Sequence, residues 1–236
     1  MISITHPIKQ LINSQYGFLS SMLDRFPNLL DKWIKKQEKE NEQLAKIEAN
    51  GDIDVYLSIS HWFVDIADSY GEEEQLFNQA MLIMVYSYYE STLLRLSKEI
   101  QEDEARPSII ANHFGKDLDD EMLKISNYLF KTIAPLRNQL CHNNQGTLFA
   151  RSTNRREEQI ENVEKLVERK FITIDDGRIV SIDRAFIKNI LDGERKLLLK
   201  LAEICGFKTK WCVYEDGKMV VCENYDEIKE RGRGAK

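Results

Sequence analysis

Histidine exchanges its proton near neutral pH, so the four histidines of the chain are the first places to look for reaction chemistry. His142 closes the run Leu136-Arg137-Asn138-Gln139-Leu140-Cys141-His142, five positions after Arg137. An imidazole takes or gives a proton, and a guanidinium offers a planar fork to two phosphate oxygens. Asn138 adds a carboxamide that can orient either partner. On an α-helix, five residues advance about 7.5 Å and turn about 140°, so Arg137 and His142 do not share a face. A single copy of the chain therefore holds an incomplete site. The plainer alternative is that Arg137 salt-bridges a helix end, His142 caps terminal carbonyls and Asn138 supplies turn polarity. A Cys141–His142 nucleophilic pair is disfavoured, because adjacent helical residues point in different directions. His61, beside Trp62 and Phe63, has no companion motif and reads as a histidine at a core edge.

The elements that must position this run are mostly helical. Apolar residues recur at helical spacing from Ile8 to about Ala49, with a break expected near Pro27 and a charged extension over residues 35–48. Asn50-Gly51 reads as a helix stop and Asp52 as the next cap. A helix over residues 53–70 is then expected to yield at Gly71 to a second one over 72–101, apolar nearly all round between Leu76 and Leu96. Glu90 interrupts that stretch and requires a cation or a hydrogen bond. Residues 105–115 read as a connection, 118–133 as a helix, and Pro135 to His142 as either a new short helix or a kinked continuation. An amphipathic helix over 155–170 precedes strands at 171–174 and 178–182 around Asp175-Asp176-Gly177. Helical periodicity returns over 185–204, and a second hairpin is expected over 211–222.

The motif in this setting resembles the signature of HEPN domains, in which an Arg, a polar neighbour and a His are separated by a short variable gap. The earlier run Tyr86-Ser87-Tyr88-Tyr89-Glu90-Ser91 is similar to the HEPN helix that packs across the motif and contributes a polar or acidic residue. The resemblance covers about residues 53–204 and reaches neither the helices before Asp52 nor the last hairpin. It implies a metal-independent endoribonuclease with Arg137, Asn138, His142 and Glu90 as catalytic residues. His142 would act in proton transfer at the 2′-hydroxyl or the leaving oxygen, and Arg137 on the charge of the phosphorane-like transition state. Glu90 would position Arg137 or favour the charged imidazole. The resemblance further implies a homodimer in which two motifs line one cleft, a toxin or antiviral role, and a cognate inhibitor or activator. Arg151, Arg155 and Arg156 are candidate RNA-binding residues, although Glu157, Glu158 and Glu161 follow at once and favour a solvated helix start.

Composition limits the alternatives. With 42% hydrophobic residues over 236 positions the chain can bury a sizeable core, and a net charge of −6 argues against nonspecific coating of nucleic acid. The four cysteines show no two-residue pairing, so free thiols are expected, with no metal and no cofactor. No segment is apolar enough to span a membrane, and the first residues lack a secretory signal, so a cytoplasmic protein is expected. The expected architecture is a mostly α, HEPN-like antiparallel helical bundle with one or two small C-terminal β-hairpins. Its divisions are an N-terminal helical extension over 1–51, a core over 52–205 with a hairpin near 171–182, and a C-terminal hairpin and tail over 206–236. Two further readings stand beside the ribonuclease: a noncatalytic HEPN-like module binding a protein or nucleotide, and a scaffold built on the charged helix over 35–48.

Overall fold

The structure, a computed structural model, describes residues 2–4, 6–99, 117–142, 156–207, 210–215 and 218–222. The protein is mostly helical. α1 runs Pro7–Ala49 and α2 Ile53–Glu99. They are joined by Asn50 and Gly51, whose positive φ values turn the chain, and by Asp52, whose carboxylate accepts from the Asp54 and Val55 amides at 2.9 and 3.2 Å.

Both helices are continuous where the sequence suggests a break. α1 is not broken at Pro27. The proline leaves the Leu23 carbonyl without its helical donor, but the same turn is held where Phe26 stacks on Phe77, ring centroids 3.8 Å apart. α2 likewise passes through Gly71. A mid-helix glycine costs about 1 kcal/mol relative to alanine, too little to end a helix that strong formers, Glu72 to Leu76, continue at once. Glu72, Glu73 and Glu74 are therefore mid-helix residues rather than an acidic N-terminal turn.

α3 spans Asp120–Tyr128, capped by Asp119, whose side chain accepts from the Met122 amide at 2.9 Å. It passes through a π-helical turn, Leu129–Ile133, directly into α4, Ala134–His142. Of the two readings of Pro135, the structure takes the continuation. Proline cannot donate to the carbonyl four residues back, that of Lys131, and there the Asn162 amide donates from α5, Arg156–Glu168, at 3.4 Å. β2, Ile172–Asp175, and β3, Arg178–Ile182, form the expected hairpin. Asp176 and Gly177 both have positive φ, as a two-residue turn matched to strand twist requires. α6, Arg184–Ile204, follows.

The last hairpin pairs β4, Lys210–Glu215, with β5, Lys218–Cys222. β4 also pairs with β1, Ile2–Ile4, giving the sheet order β1-β4-β5. The strand at residues 2–4 went unread in the sequence because its pairing partner lies at the opposite end of the chain.

The chain divides into two compact units. The first comprises Met1–Gly17, Ser87–Phe130 and Leu191–Lys236. Here the start of α1 runs antiparallel to the end of α6: Tyr16 donates to Asp192 at 2.7 Å, Arg195 to Asn13 at 3.0 Å, and Lys9 to Glu203 at 3.3 Å. Tyr88 of α2 donates to the Ile12 carbonyl at 3.1 Å, and Gly193 lets α6 approach Ile125 of α3. Ile12, Leu93, Leu191, Leu197, Leu198 and Leu201 are buried in this unit.

The second unit comprises Phe18–Tyr86 and Lys131–Ile190. α2 lies along the hairpin, and three amide side chains at helical spacing meet the β3 backbone. Asn78 donates to the Ile182 carbonyl at 3.0 Å, Gln79 to that of Ile179 at 3.1 Å, and Gln75 accepts from the Ile182 amide at 3.1 Å. A strand edge that would otherwise expose pairing groups is thereby closed. Phe171 stacks on Phe186, and Leu82, Val85, Ile133, Leu136, Ile179, Ile182 and Ile187 are buried.

Candidate functional site

α4 carries the motif. Ile133, Leu136 and Leu140, spaced three and four residues apart, put one stripe of the segment in the core, and Gln139 is buried with them. Arg137 is half-buried, while Asn138 and Cys141 are exposed. The Arg137 guanidinium donates through Nη1 to Asn138 Oδ1 at 2.8 Å and lies 5.6 Å from the centroid of the Tyr86 ring. That ring is almost wholly buried, so its face is a fixed platform for the cation. The two polar members of the motif are thus held together on the second unit, Asn138 beside the guanidinium and Tyr86 beneath it.

His142 is the last residue of α4, and its side chain lies outside the described residues. The unbroken helix from Ala134 to His142 keeps the angular separation of Arg137 and His142 that the spacing implies. Arg151 and Arg155 lie outside the described residues; Arg156 opens α5, with its side chain likewise outside them. Glu90 is half-buried on α2 and belongs to the first unit, where its charge acts on Glu194. Among the described residues no group of three or more His, Cys, Asp or Glu side chains is placed to hold a metal ion. No described helix is long and apolar enough to cross a membrane. Neither Cys141 nor Cys205 is in a disulfide.

Two features escaped the sequence reading. Tyr86 was noted only as part of an aromatic run, and nothing local assigns its face to Arg137. Glu194 left a clearer trace, since it occupies an apolar slot of α6 between Leu191 and Leu197. It is fully buried, and among the described residues neither carboxyl oxygen has a hydrogen-bond partner. Burial pushes its pKa well above the ordinary 4.5, and the charge of Glu90 adds to the shift. The adjacent cation, Arg195, is engaged with α1 through Asn13 and the Tyr16 ring, 4.6 Å from its centroid. Tyr88, also near Glu194, has its hydroxyl pKa raised, first by burial and then by the Glu194 charge, with Arg195 opposing. Glu194 is a buried carboxyl of the first unit whose charged form burial and the charge of Glu90 disfavour, and it is not a member of the motif.

Comparisons of the chain with protein-family models, with curated proteins and with solved structures give no match.

Proposed function

We propose that the protein is a HEPN-type, metal-independent endoribonuclease that acts as a homodimer. The observation that carries this reading is the fixed guanidinium of Arg137, half-buried on Tyr86 and hydrogen-bonded to Asn138, on the helix that ends at His142. A guanidinium held in place before substrate arrives stabilises charge developing on a phosphate without reorganising. His142 supplies proton transfer: removal of the 2′-hydroxyl proton, attack of that oxygen on phosphorus, and loss of the 5′-oxygen of the next nucleotide leave a 2′,3′-cyclic phosphate. Because one helix does not present Arg137 and His142 on one face, two copies of the motif related by a two-fold axis supply the base and acid roles together. RNA is the partner, bound in single-stranded or loop form.

The test is cleavage of a labelled mixed-sequence RNA in EDTA, with His142→Ala and Arg137→Ala beside the wild type and the 3′ ends identified. Cyclic phosphate ends that vanish in both variants support the reading. Undiminished cleavage by the double variant removes it.

The net charge of −6 favours one competing reading, a noncatalytic module that binds a partner protein or nucleotide through the same surface. RNA left intact by concentrated protein, with a stoichiometric copurifying partner, selects that alternative.

A further inference from the structure

Each residue of a regular α-helix stands about 100° around and about 1.5 Å along from the one before it. The π-helical turn Leu129–Ile133 departs from that rule, because a loop closed from residue i to i+5 holds one residue more than an α-turn. α4 therefore stands one residue behind the register of an unbroken α-helix. Were the turn α-helical and α3 unmoved, each residue of α4 would take the place that its successor now holds. That single step decides what lies on Tyr86. In the observed register the Arg137 guanidinium is 5.6 Å from the ring centroid, Leu136 and Gln139 are buried, and Asn138 and Cys141 are exposed. One step on, Leu136 would replace Arg137 above the ring, and Arg137 would swing out to the exposed place of Asn138. Asn138 would enter the buried place of Gln139, and Leu140 the exposed place of Cys141.

Two groups act on one carbonyl of the widened turn, that of Lys131. Pro135 has no N–H to offer it, and in a regular α-turn the proline ring would clash with it. Asn162 of α5 donates to the same oxygen at 3.4 Å, beside Val163 and Leu166, whose burial fixes α5. The proline thus disfavours the α register and the amide favours the π register. Burial of Leu136 and Leu140 favours the same register. A π-turn is rare within helices, and it persists here where a ring, an amide and an apolar stripe all select it.

We propose that the π-turn is a register lock for the motif, with Pro135 and Asn162 as positioning residues that keep Arg137 on Tyr86. Neither residue touches substrate; both act through the angular position of α4. The consequence for RNA cleavage rests on the ribonuclease reading, whereas the register is read out without any cleavage.

Thiol labelling of the full chain tests the lock, with Asn138→Cys and Leu140→Cys as separate probes, each in a Cys141→Ser background and located by peptide mass. With the lock intact the probe at 138 should label fast and the probe at 140 slowly. Pro135→Ala together with Asn162→Ala should slow the first and quicken the second, by at least about tenfold each, as the two places exchange exposure for burial. Local unfolding quickens both, so only the reciprocal change marks a rotation. Beside Pro135→Ala, Asn162→Asp offers acceptors alone and should act as Asn162→Ala does, while Asn162→Gln keeps a donor and should retain the wild-type order. Without the probes, the Pro135→Ala, Asn162→Ala chain should lose at least about tenfold in kcat for RNA, toward the value of Arg137→Ala, with KM changed by less than about twofold. Reciprocal labelling in a protein that never cleaves RNA would uphold the lock and remove the ribonuclease reading. Labelling that is unchanged, or quickened at both positions, would overturn the lock whatever the rate of cleavage. Reciprocal labelling with an undiminished kcat would overturn the positioning role.

Discussion

Arg137 and Glu194 are both ionisable side chains drawn away from water, one in each unit, and their surroundings treat them in opposite ways. Arg137 is supplied with partners for its guanidinium: a carboxamide oxygen at 2.8 Å and an aromatic face at 5.6 Å. Glu194 has no such provision among the described residues, and burial together with the charge of Glu90 raises its pKa and disfavours its charged form. A charge that is retained and partly exposed can act on a substrate. A buried carboxyl whose charged form is disfavoured bears on the fold. That difference is what separates the candidate site from a polar residue of the interior.

The sharpest way to break the comparison is to remove the motif's own groups. His142→Ala should lower RNA cleavage by about 10²- to 10⁴-fold, the usual contribution of a proton-transfer group. Arg137→Ala should lower it by about 10²- to 10³-fold, the scale of a lost transition-state charge donor. Single-turnover cleavage measures both, and Arg137→Lys should recover only part of the loss because a point charge cannot reproduce the fork. Equal cleavage by all three would end the distinction drawn for Arg137.

Glu194 is expected to behave in the reverse sense, gaining stability when it is removed. Glu194→Met replaces an unsatisfied acid with an apolar chain of similar size and should raise stability by about 1–3 kcal/mol in urea denaturation. The pH dependence sharpens this. Because its folded pKa lies above the unfolded value near 4.5, the contribution of protonated Glu194 is fully present below that pH. It is lost as the pH rises from there through the raised folded value. Urea melts taken from pH 5 upward should therefore show wild-type stability declining relative to Glu194→Met. Parallel curves would mean that Glu194 finds a partner on folding.

The platform under Arg137 should have a smaller effect. Tyr86→Leu should reduce kcat/KM for RNA by about 2- to 30-fold when assayed well below the melting temperature, the worth of a partly buried cation–π contact. Tyr86→Phe keeps the ring face and should leave the rate near wild type. Smallest of all, Asn138→Ala removes one hydrogen bond at an exposed position. A stability change of about 0.5 kcal/mol or less is expected in thermal denaturation, so any large loss of cleavage would mark Asn138 as touching substrate.

Much of the local structure was legible in advance. The Asp176-Gly177 turn, the Asn50-Gly51 stop with its Asp52 cap, and the return of helical periodicity after residue 184 all stand where their residue types place them. Each depends on backbone sterics or spacing within a few residues. Breaker residues were the less dependable signal. Pro27 and Gly71 were read as interruptions, yet both lie inside continuous helices, because a penalty of one residue is set against packing along the whole helix. The motif was visible as residue types on one helix; its platform was not, since Tyr86 and Arg137 are far apart in sequence.

By itself, then, the sequence determined a mostly helical chain with turns at defined places and an Arg, an Asn and a His on one short helix. Periodicity and turn chemistry are local properties that need no distant partner. Tertiary structure alone decided that Arg137 rests on Tyr86, that Asn162 meets the carbonyl left by Pro135, that residues 2–4 join the last hairpin, and that Glu194 is sealed from water. Those outcomes depend on which surfaces meet, and with them on where a buried polar group finds a partner and where it does not.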